Sequence, residues 1–246
     1  ETARMSDADS TLNRRVEWLS VVGDVDLWRS LGLTVTDDGM VALVGTSIRI
    51  VPDDASASSR IVGWALSGLD DAAVIDVDGL ATEVIEPPTP IYADHPLRAT
   101  GLDHVVVLTP DLERTSAAIA AATGCELKRI RELGTMRQGF HRIGHRGLIV
   151  ELVERPDLPD GPASFWGLVL IVEDLDAACA LIGPDRISPP KDAVQQGRRI
   201  ATISADVGLG QRQFAILQRR PLDLDLAGEF LRAGFVDEDL DARLVL

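Results

Sequence analysis

The residues with most chemical potential in this chain are a histidine and a glutamate carried on apolar, strand-like runs. His104 lies in Leu102-Asp103-His104-Val105-Val106-Val107-Leu108 and Glu151 in Ile149-Val150-Glu151-Leu152-Val153-Glu154. An imidazole beside a carboxylate can move a proton, and the two can also seed a divalent-metal site, although a tight site takes three or four protein ligands. Strand alternation puts Leu102, His104 and Val106 on one face, and Ile149, Glu151 and Val153 on one face of theirs. Either residue fits equally well as an ordinary hydrogen-bonded, half-buried side chain. His141 and His145 have the spacing of a helical metal pair. Glycines bracket that segment, however, so it reads as a strand end plus a turn, where positions four apart stand about 13 Å from each other. His141 shares its run with Arg137 and Gln138, which makes it a candidate for acid/base work on the same concave surface as His104. Arg198 and Arg199 open a later strand and carry the planar forks that suit a carboxylate or phosphate, or equally a surface Asp or Glu. Gln138, Gln195 and Gln213 are neutral donors able to orient a polar ligand. Gln138, Arg199 and Gln213 are the expected pocket residues.

Composition narrows the classes of function. The 246 residues carry 24 Lys+Arg against 39 Asp+Glu, a net charge of −15. Nucleic-acid binding needs a basic surface that releases counterions, so that partner is not expected. Only Lys128 and Lys191 are lysines. Cys125 and Cys179 cannot build a disulfide framework, and no run approaches a membrane span, so a cytoplasmic protein with no membrane partner is expected. Met5-Ser6 looks like a native start, and Glu1 to Arg4 read as an added remnant. There is no Gly-x-x-x-x-Gly-Lys, no Gly-x-Ser-x-Gly and no Cys-x-x-Cys, and Gly208-Leu209-Gly210 reads as a turn between strands rather than a dinucleotide loop. Nucleotide hydrolysis, Rossmann hydride transfer, serine esterase chemistry and structural zinc are disfavoured.

Two copies of one pattern position these residues. An apolar run from Leu102 leads through an acidic turn into an Ala-rich helix over Leu112 to Ala122, stopped by Gly124. A second run from Phe165 leads in the same way into a helix over Leu175 to Ile182, stopped by Gly183-Pro184. Gly directly after the last periodic residue is a helix stop. The acidic turns supply N-caps, and Phe165, Trp166 and Trp18 read as packing residues. After the first helix come strand-like runs at Glu126 to Glu132, Arg137 to Ile143 and Leu148 to Glu154. After the second come Arg199 to Ser204 and Gln213 to Gln218. One helix covers one sheet face, which leaves the other concave and open. The first hundred residues echo this more weakly. Val16 to Val22, a segment over Asp24 to Leu31, then Leu33 to Thr36, Met40 to Val44 and Ser47 to Pro52 read as strand, helix and three strands. Ile61 to Leu69, Val74 to Asp78 and Thr82 to Ile85 read as extra strands, before the stiff Glu86-Pro87-Pro88-Thr89-Pro90. The acidic stretch from Pro221 holds one short helical pattern near Leu226 to Ala233.

This βαβββ order, with His104 in the first strand of one copy and Glu151 in its last, resembles the vicinal oxygen chelate superfamily. That group includes glyoxalase I, extradiol dioxygenases, methylmalonyl-CoA epimerase and antibiotic-resistance proteins. The resemblance covers residues 101 to about 218 well and 15 to about 86 loosely. It implies an α+β fold of tandem βαβββ modules forming cup-shaped mixed sheets, with helices on the outer face. It also implies a divalent metal held by first- and last-strand residues, acting as a Lewis acid on vicinal oxygens of a small substrate. His104 and Glu151 fall at two of the ligand positions. The second copy offers Gly167, and Ala215 with Ile216, so half of the usual ligand set is missing. The expected organisation is a tail or remnant at 1–14, a divergent half at 15–90, a module pair at 101–218 and an acidic tail at 219–246. Two functions stay open. One is a metal-dependent lyase, isomerase or dioxygenase acting on a small oxygenated metabolite through His104 and Glu151, which without metal would be an acid/base pair. The other is a metal-free pocket of the resistance-protein type that sequesters a small molecule. Exposed sheet edges would also permit a homodimer.

Overall fold

The computed structural model describes residues 11–51, 61–69, 76–155, 157–207 and 213–219. Two mixed sheets organise them. The larger is built from β6 (Ala99–Thr109), β7 (Leu127–Leu133), β8 (Met136–Arg142), β9 (Ile149–Glu154), β10 (Ser164–Val172), β11 (Lys191–Asp192), β12 (Arg199–Ile203) and β13 (Gln213–Gln218), in the spatial order β11-β12-β13-β10-β6-β9-β8-β7. The two copies meet where β6 and β10 pair antiparallel, and each starts with a parallel pair, β6 with β9 and β10 with β13. The tandem βαβββ reading holds.

Both repeat helices form where their caps place them. In α2 (Leu112–Thr123), the Asp111 side chain accepts from Arg114 N, and Gly124 at φ 66° closes the last turn in the left-handed region that favours glycine. In α3 (Leu175–Ile182), Asp174 caps in the same way through Ala177 N. Each helix buries its apolar stripe on its own module, α2 over β8 and β9, and α3 over β12 and β13.

The smaller sheet comprises β1 (Arg15–Val22), β2 (Met40–Val41), β3 (Ser47–Val51), β4 (Ile61–Ser67) and β5 (Thr82–Val84), ordered β2-β3-β1-β4-β5, with a single-turn-and-a-half helix α1 (Val25–Ser30). Its pairings repeat the larger sheet in outline: β1 runs parallel to β3 and antiparallel to β4, and β4 runs parallel to β5. The strands read from sequence as extras are therefore a reduced second module without its helix among the described residues. Leu33–Thr36, expected as a strand, lies outside any, and Met40–Val44 shrinks to two residues. Val77 makes a lone bridge to Leu80, whereas residues 74 and 75, the 208–210 turn and the Leu226–Ala233 pattern lie outside the described residues.

The N-terminal half packs on the helix-covered side of the large sheet, and the two share one apolar core. Trp28 meets Phe214 edge-on at 5.4 Å, and Trp64 meets Phe165 at 5.5 Å. His95 adds a polar strut: its Nδ1 accepts from Thr34 N at 3.0 Å, so Nε2 carries the hydrogen and donates to the Ala42 carbonyl at 2.9 Å. Because Trp28 is fully buried between the halves, Trp28→Ala should lower stability by about 3–5 kcal/mol. Fluorescence and circular dichroism should then report the same shifted single transition; two separate transitions would mean the halves unfold independently.

Candidate functional site

Helices and the N-terminal half cover one face of the large sheet, and a second set of side chains lines the opposite, concave face. Cross-strand neighbours share a face, so the registers decide which side chains line it. Val106 is level with Glu151, Glu151 with Phe140, and Val153 with Gln138. On the second module Val169, Ala215, Leu217 and Ile200 form a small apolar cluster of this face. Trp166 packs with Val106, Leu108 and Val153 at its other end.

His104 and Glu151 are brought together, both buried, with His104 Nε2 at 3.4 Å from Glu151 Oε2. Gln138 joins them by donating Nε2–H to Glu151 Oε1 at 2.6 Å, and its own buried Oε1 has no partner among the described residues. A third carboxyl completes the group. Between His104 and Leu102 the β6–β10 register slips by one residue, leaving Asp103 as the extra residue of a bulge. Leu102 consequently joins the helix-side core instead of sharing the face of His104. Asp103 Oδ2 lies 2.9 Å from His104 Nδ1. Its Oδ1 accepts from Arg198 Nη1 at 3.2 Å and Arg219 Nη2 at 3.0 Å. The result is a chain running from buried Arg198 and half-exposed Arg219 through buried Asp103, His104 and Glu151 to Gln138.

Electrostatics follow from that order. Burial opposes ionisation of Asp103, but the His104 hydrogen bond and the charges of His104, Arg219 and Arg198 hold its carboxyl far below the usual range. For His104, burial favours the neutral ring, yet the Asp103 hydrogen bond and the negative charges of Glu151 and Asp103 outweigh it and raise its pKa, with Arg198 opposing. Glu151 is pushed up by burial and by Asp103, against the pull of His104 and Arg131. A histidine of raised pKa, oriented by a carboxylate, thus stands beside a carboxyl group of raised pKa, a set able to donate to a developing oxyanion and to exchange a proton with a neighbouring carbon or oxygen.

Other sequence candidates go elsewhere. His141 is level with Val150 on the helix side of the sheet, so it does not share the concave face. Its Nδ1–H meets the Cys125 carbonyl at 2.9 Å and its Nε2 meets Ser116 Oγ at 3.0 Å, and burial lowers its pKa. Arg199 also faces outward and forks onto Asp176 of α3 at 2.7 and 2.9 Å. Its neighbour Arg198 is the arginine that reaches the site. Gln213 is level with Gly167; its side chain is outside the described residues. Asp103 and Arg219 were missed because plain alternation points Asp103 away from His104 and because Arg219 lies beyond the last strand. The adjacency Asp103-His104 was the one available signal.

The fold family implies a metal, and the donor set here does not suit one. The parallel registers equate His104 with Gly167 and Glu151 with Ala215, since Val106 faces Glu151 as Val169 faces Ala215. Two of four positions lack a donor atom, His104 Nδ1 is committed to Asp103, and Asp103 is committed to two guanidinium groups. Among the described residues no three His, Cys, Asp or Glu side chains converge as a metal site.

This chain has the fold of the vicinal oxygen chelate superfamily. It is similar to a mutant of 4-hydroxymandelate synthase from Streptomyces coelicolor, with a TM-score of 0.59, 15% identity, and 84% of this chain and 92% of that one covered. It is also similar to methylmalonyl-CoA epimerase from Mycobacterium tuberculosis, with a TM-score of 0.43 and 20% identity over 53% of this chain and 93% of that one. A Streptomyces coelicolor methylmalonyl-CoA epimerase in complex with 2-nitronate-propionyl-CoA gives a TM-score of 0.41 and 19% identity over 50% and 96%. No protein-family model matches the chain, and no curated protein matches it in sequence. No helix among the described residues is long and apolar enough to cross a membrane.

Two outcomes test this geometry. Asp103→Asn removes the carboxylate charge at 3.2 Å from the buried Arg198 guanidinium and should cost about 3–5 kcal/mol in denaturant unfolding; a loss below about 1 kcal/mol would show that the pair is not buried as described. His141, with its folded pKa lowered, binds fewer protons folded than unfolded as pH falls below about 6.5. Its contribution is full above that pH and is lost on acidification toward the folded pKa. His141→Gln should therefore flatten the pH dependence of Tm in this window relative to the parent; an unchanged slope would reject the assignment.

Proposed function

We propose that the concave face of the C-terminal module pair is the working site of a glyoxalase-like enzyme that moves a proton on a small oxygenated metabolite without a resident metal. The observation that carries this reading is the buried placement of His104 between Asp103, to which it is hydrogen-bonded, and Glu151, whose Oε2 lies 3.4 Å from Nε2. Glu151 takes up or returns the proton. His104, oriented by Asp103, presents its Nε2–H to the substrate oxygen on which negative charge develops. Arg198 and Arg219 keep Asp103 ionised and in place. Gln138 fixes Glu151, and its unpartnered Oε1 is available to accept from a substrate hydroxyl. A substrate oxygen enters by replacing the 3.4 Å contact between His104 and Glu151.

A second reading, a protein that binds and sequesters a small molecule, is favoured by the apolar second half of the same face, where Val169, Ala215, Leu217 and Ile200 stand in place of polar residues. Proton exchange separates the two. With a panel of small oxo and hydroxy acids and ketones in heavy water, NMR should show deuterium entering next to the carbonyl of at least one. Glu151→Gln and His104→Gln should slow this by about 100-fold or more. Ligands that stabilise the fold with no exchange would establish sequestration instead. Elemental analysis of tag-free protein, grown with iron, manganese, nickel, cobalt and zinc, should find less than about one tenth of an equivalent of any metal. Near one equivalent, lost in His104→Ala and Glu151→Ala, would overturn the metal-free reading.

A further inference from the structure

The small sheet repeats the large one strand by strand, down to its irregularities. In the β6–β10 pair His104 is level with Val169 and Leu102 with Leu170, with Asp103 as the extra residue between. In the β1–β4 pair Trp18 is level with Ala65 and Val16 with Leu66, with Glu17 as the extra residue. The second slip matches too: Trp166 is skipped between Phe165 and Gly167, and Val62 between Ile61 and Gly63. The parallel registers complete the correspondence, because Ser20 is level with Arg49 as Val106 is with Glu151, and Ala65 with Glu83 as Val169 is with Ala215. Trp18 therefore stands where the large sheet has His104, and Arg49 where it has Glu151. Val16, Leu19, Ile48, Ile50, Trp64 and Leu66 point into the shared core, so Trp18, Ser20 and Arg49 point away from it. On this outer face Arg49 and Glu83 are exposed, and Trp18, Ser20 and Met40 are half-buried. Arg49 Cζ lies 5.8 Å from the Trp18 ring centroid. A ring so placed holds the guanidinium by cation–π attraction and leaves its edge N–H groups free. Among the described residues Arg49 forms no ion pair, although the chain carries a net charge of −15. The carboxylates of the same face are engaged or remote: Glu17 accepts from Ser67 Oγ, and Glu83 is on β5, three strands from β3 and about 14 Å across the sheet. The shielded Nε1–H of Trp18 has no acceptor among the described residues.

We infer that the outer face of the N-terminal half is a second small-molecule site, which holds a carboxylate or phosphate of its ligand against Arg49, with the Trp18 ring orienting the guanidinium and Ser20 on the neighbouring strand offering a hydroxyl. A guanidinium meets such an oxyanion with two parallel N–H groups, a planar fork that an ammonium lacks. The exchange of His104 and Glu151 for Trp18 and Arg49 removes the acid/base pair from this face, so it binds without moving protons. It is separate from the face of His104 and Glu151, and it stands or falls independently of the reaction proposed there.

The test is nuclear magnetic resonance of the isotope-labelled full chain, read at the indole N–H of Trp18, which is assigned by its loss in Trp18→Phe. Benzoate and phenyl phosphate present the two oxyanions on the same ring, and benzamide is the neutral control. The Trp18 signal should shift saturably with at least one of the anions, at an affinity about tenfold or more above that for benzamide, and the tighter anion identifies the group recognised. Arg49→Gln, a substitution at an exposed position, should weaken this binding about tenfold or more. Raising salt from about 50 to about 500 mM should weaken it as well, because an exposed charge contact is screened. No Trp18 shift with either anion, equal binding of benzamide, or binding unchanged in Arg49→Gln overturns the inference. A shift lost in the His104→Gln/Glu151→Gln double variant but kept in Arg49→Gln would put the anion on the other face, and overturns it too. Deuterium exchange, which reads His104 and Glu151, judges the proposed reaction separately in every case.

Discussion

The antiparallel seam between β6 and β10 is the constraint on which the C-terminal half depends. It joins the two modules into one sheet, so the helix-side residues of both strands, Val105, Val107, Leu168 and Leu170, fall into a single core with the N-terminal half. Burying one face this completely leaves the ionisable residues of these strands only the other. The seam also carries a fault: the one-residue slip at Asp103 turns a carboxylate toward the histidine that follows it. Without the slip Asp103 would stand against the apolar core, where an unpaired carboxylate is strongly disfavoured. The two arginines that reach it from the far module tie the seam to the strands outside it.

The same chain of contacts sets what the two modules place on the face away from the helices. On the second module Ala215 belongs to the apolar cluster around Val169, and Gly167 carries no side chain. On the first module Asp103 holds His104 on one side and Arg198 and Arg219 on the other. A guanidinium or imidazolium stabilises a developing negative charge by hydrogen bonding rather than coordination, and it needs an anchoring carboxylate to stay charged when buried. Asp103 is that anchor.

The N-terminal half contributes by packing and by repetition. Its strand order mirrors the middle of the large sheet with the second module shortened. Its tryptophans Trp28 and Trp64 are spent on Phe214 and Phe165, so it acts as a third cover for the outer face between α2 and α3.

Much of this was legible in the amino-acid order alone. Both repeat helices, their Asp caps and glycine stops, and the strands that follow them depend on local periodicity and short-range capping, which a single chain segment specifies, whereas the pairing of His104 with Glu151 is implied by the family resemblance. Tertiary structure decided what depends on partners. Whether Arg198 or Arg199 enters the cup, whether His141 faces Ser116 or Glu151, and whether Asp103 lies beside His104 are questions of register and bulges between strands far apart in sequence. A shift of one residue reverses a strand's faces, and only the packing of neighbouring strands sets that shift.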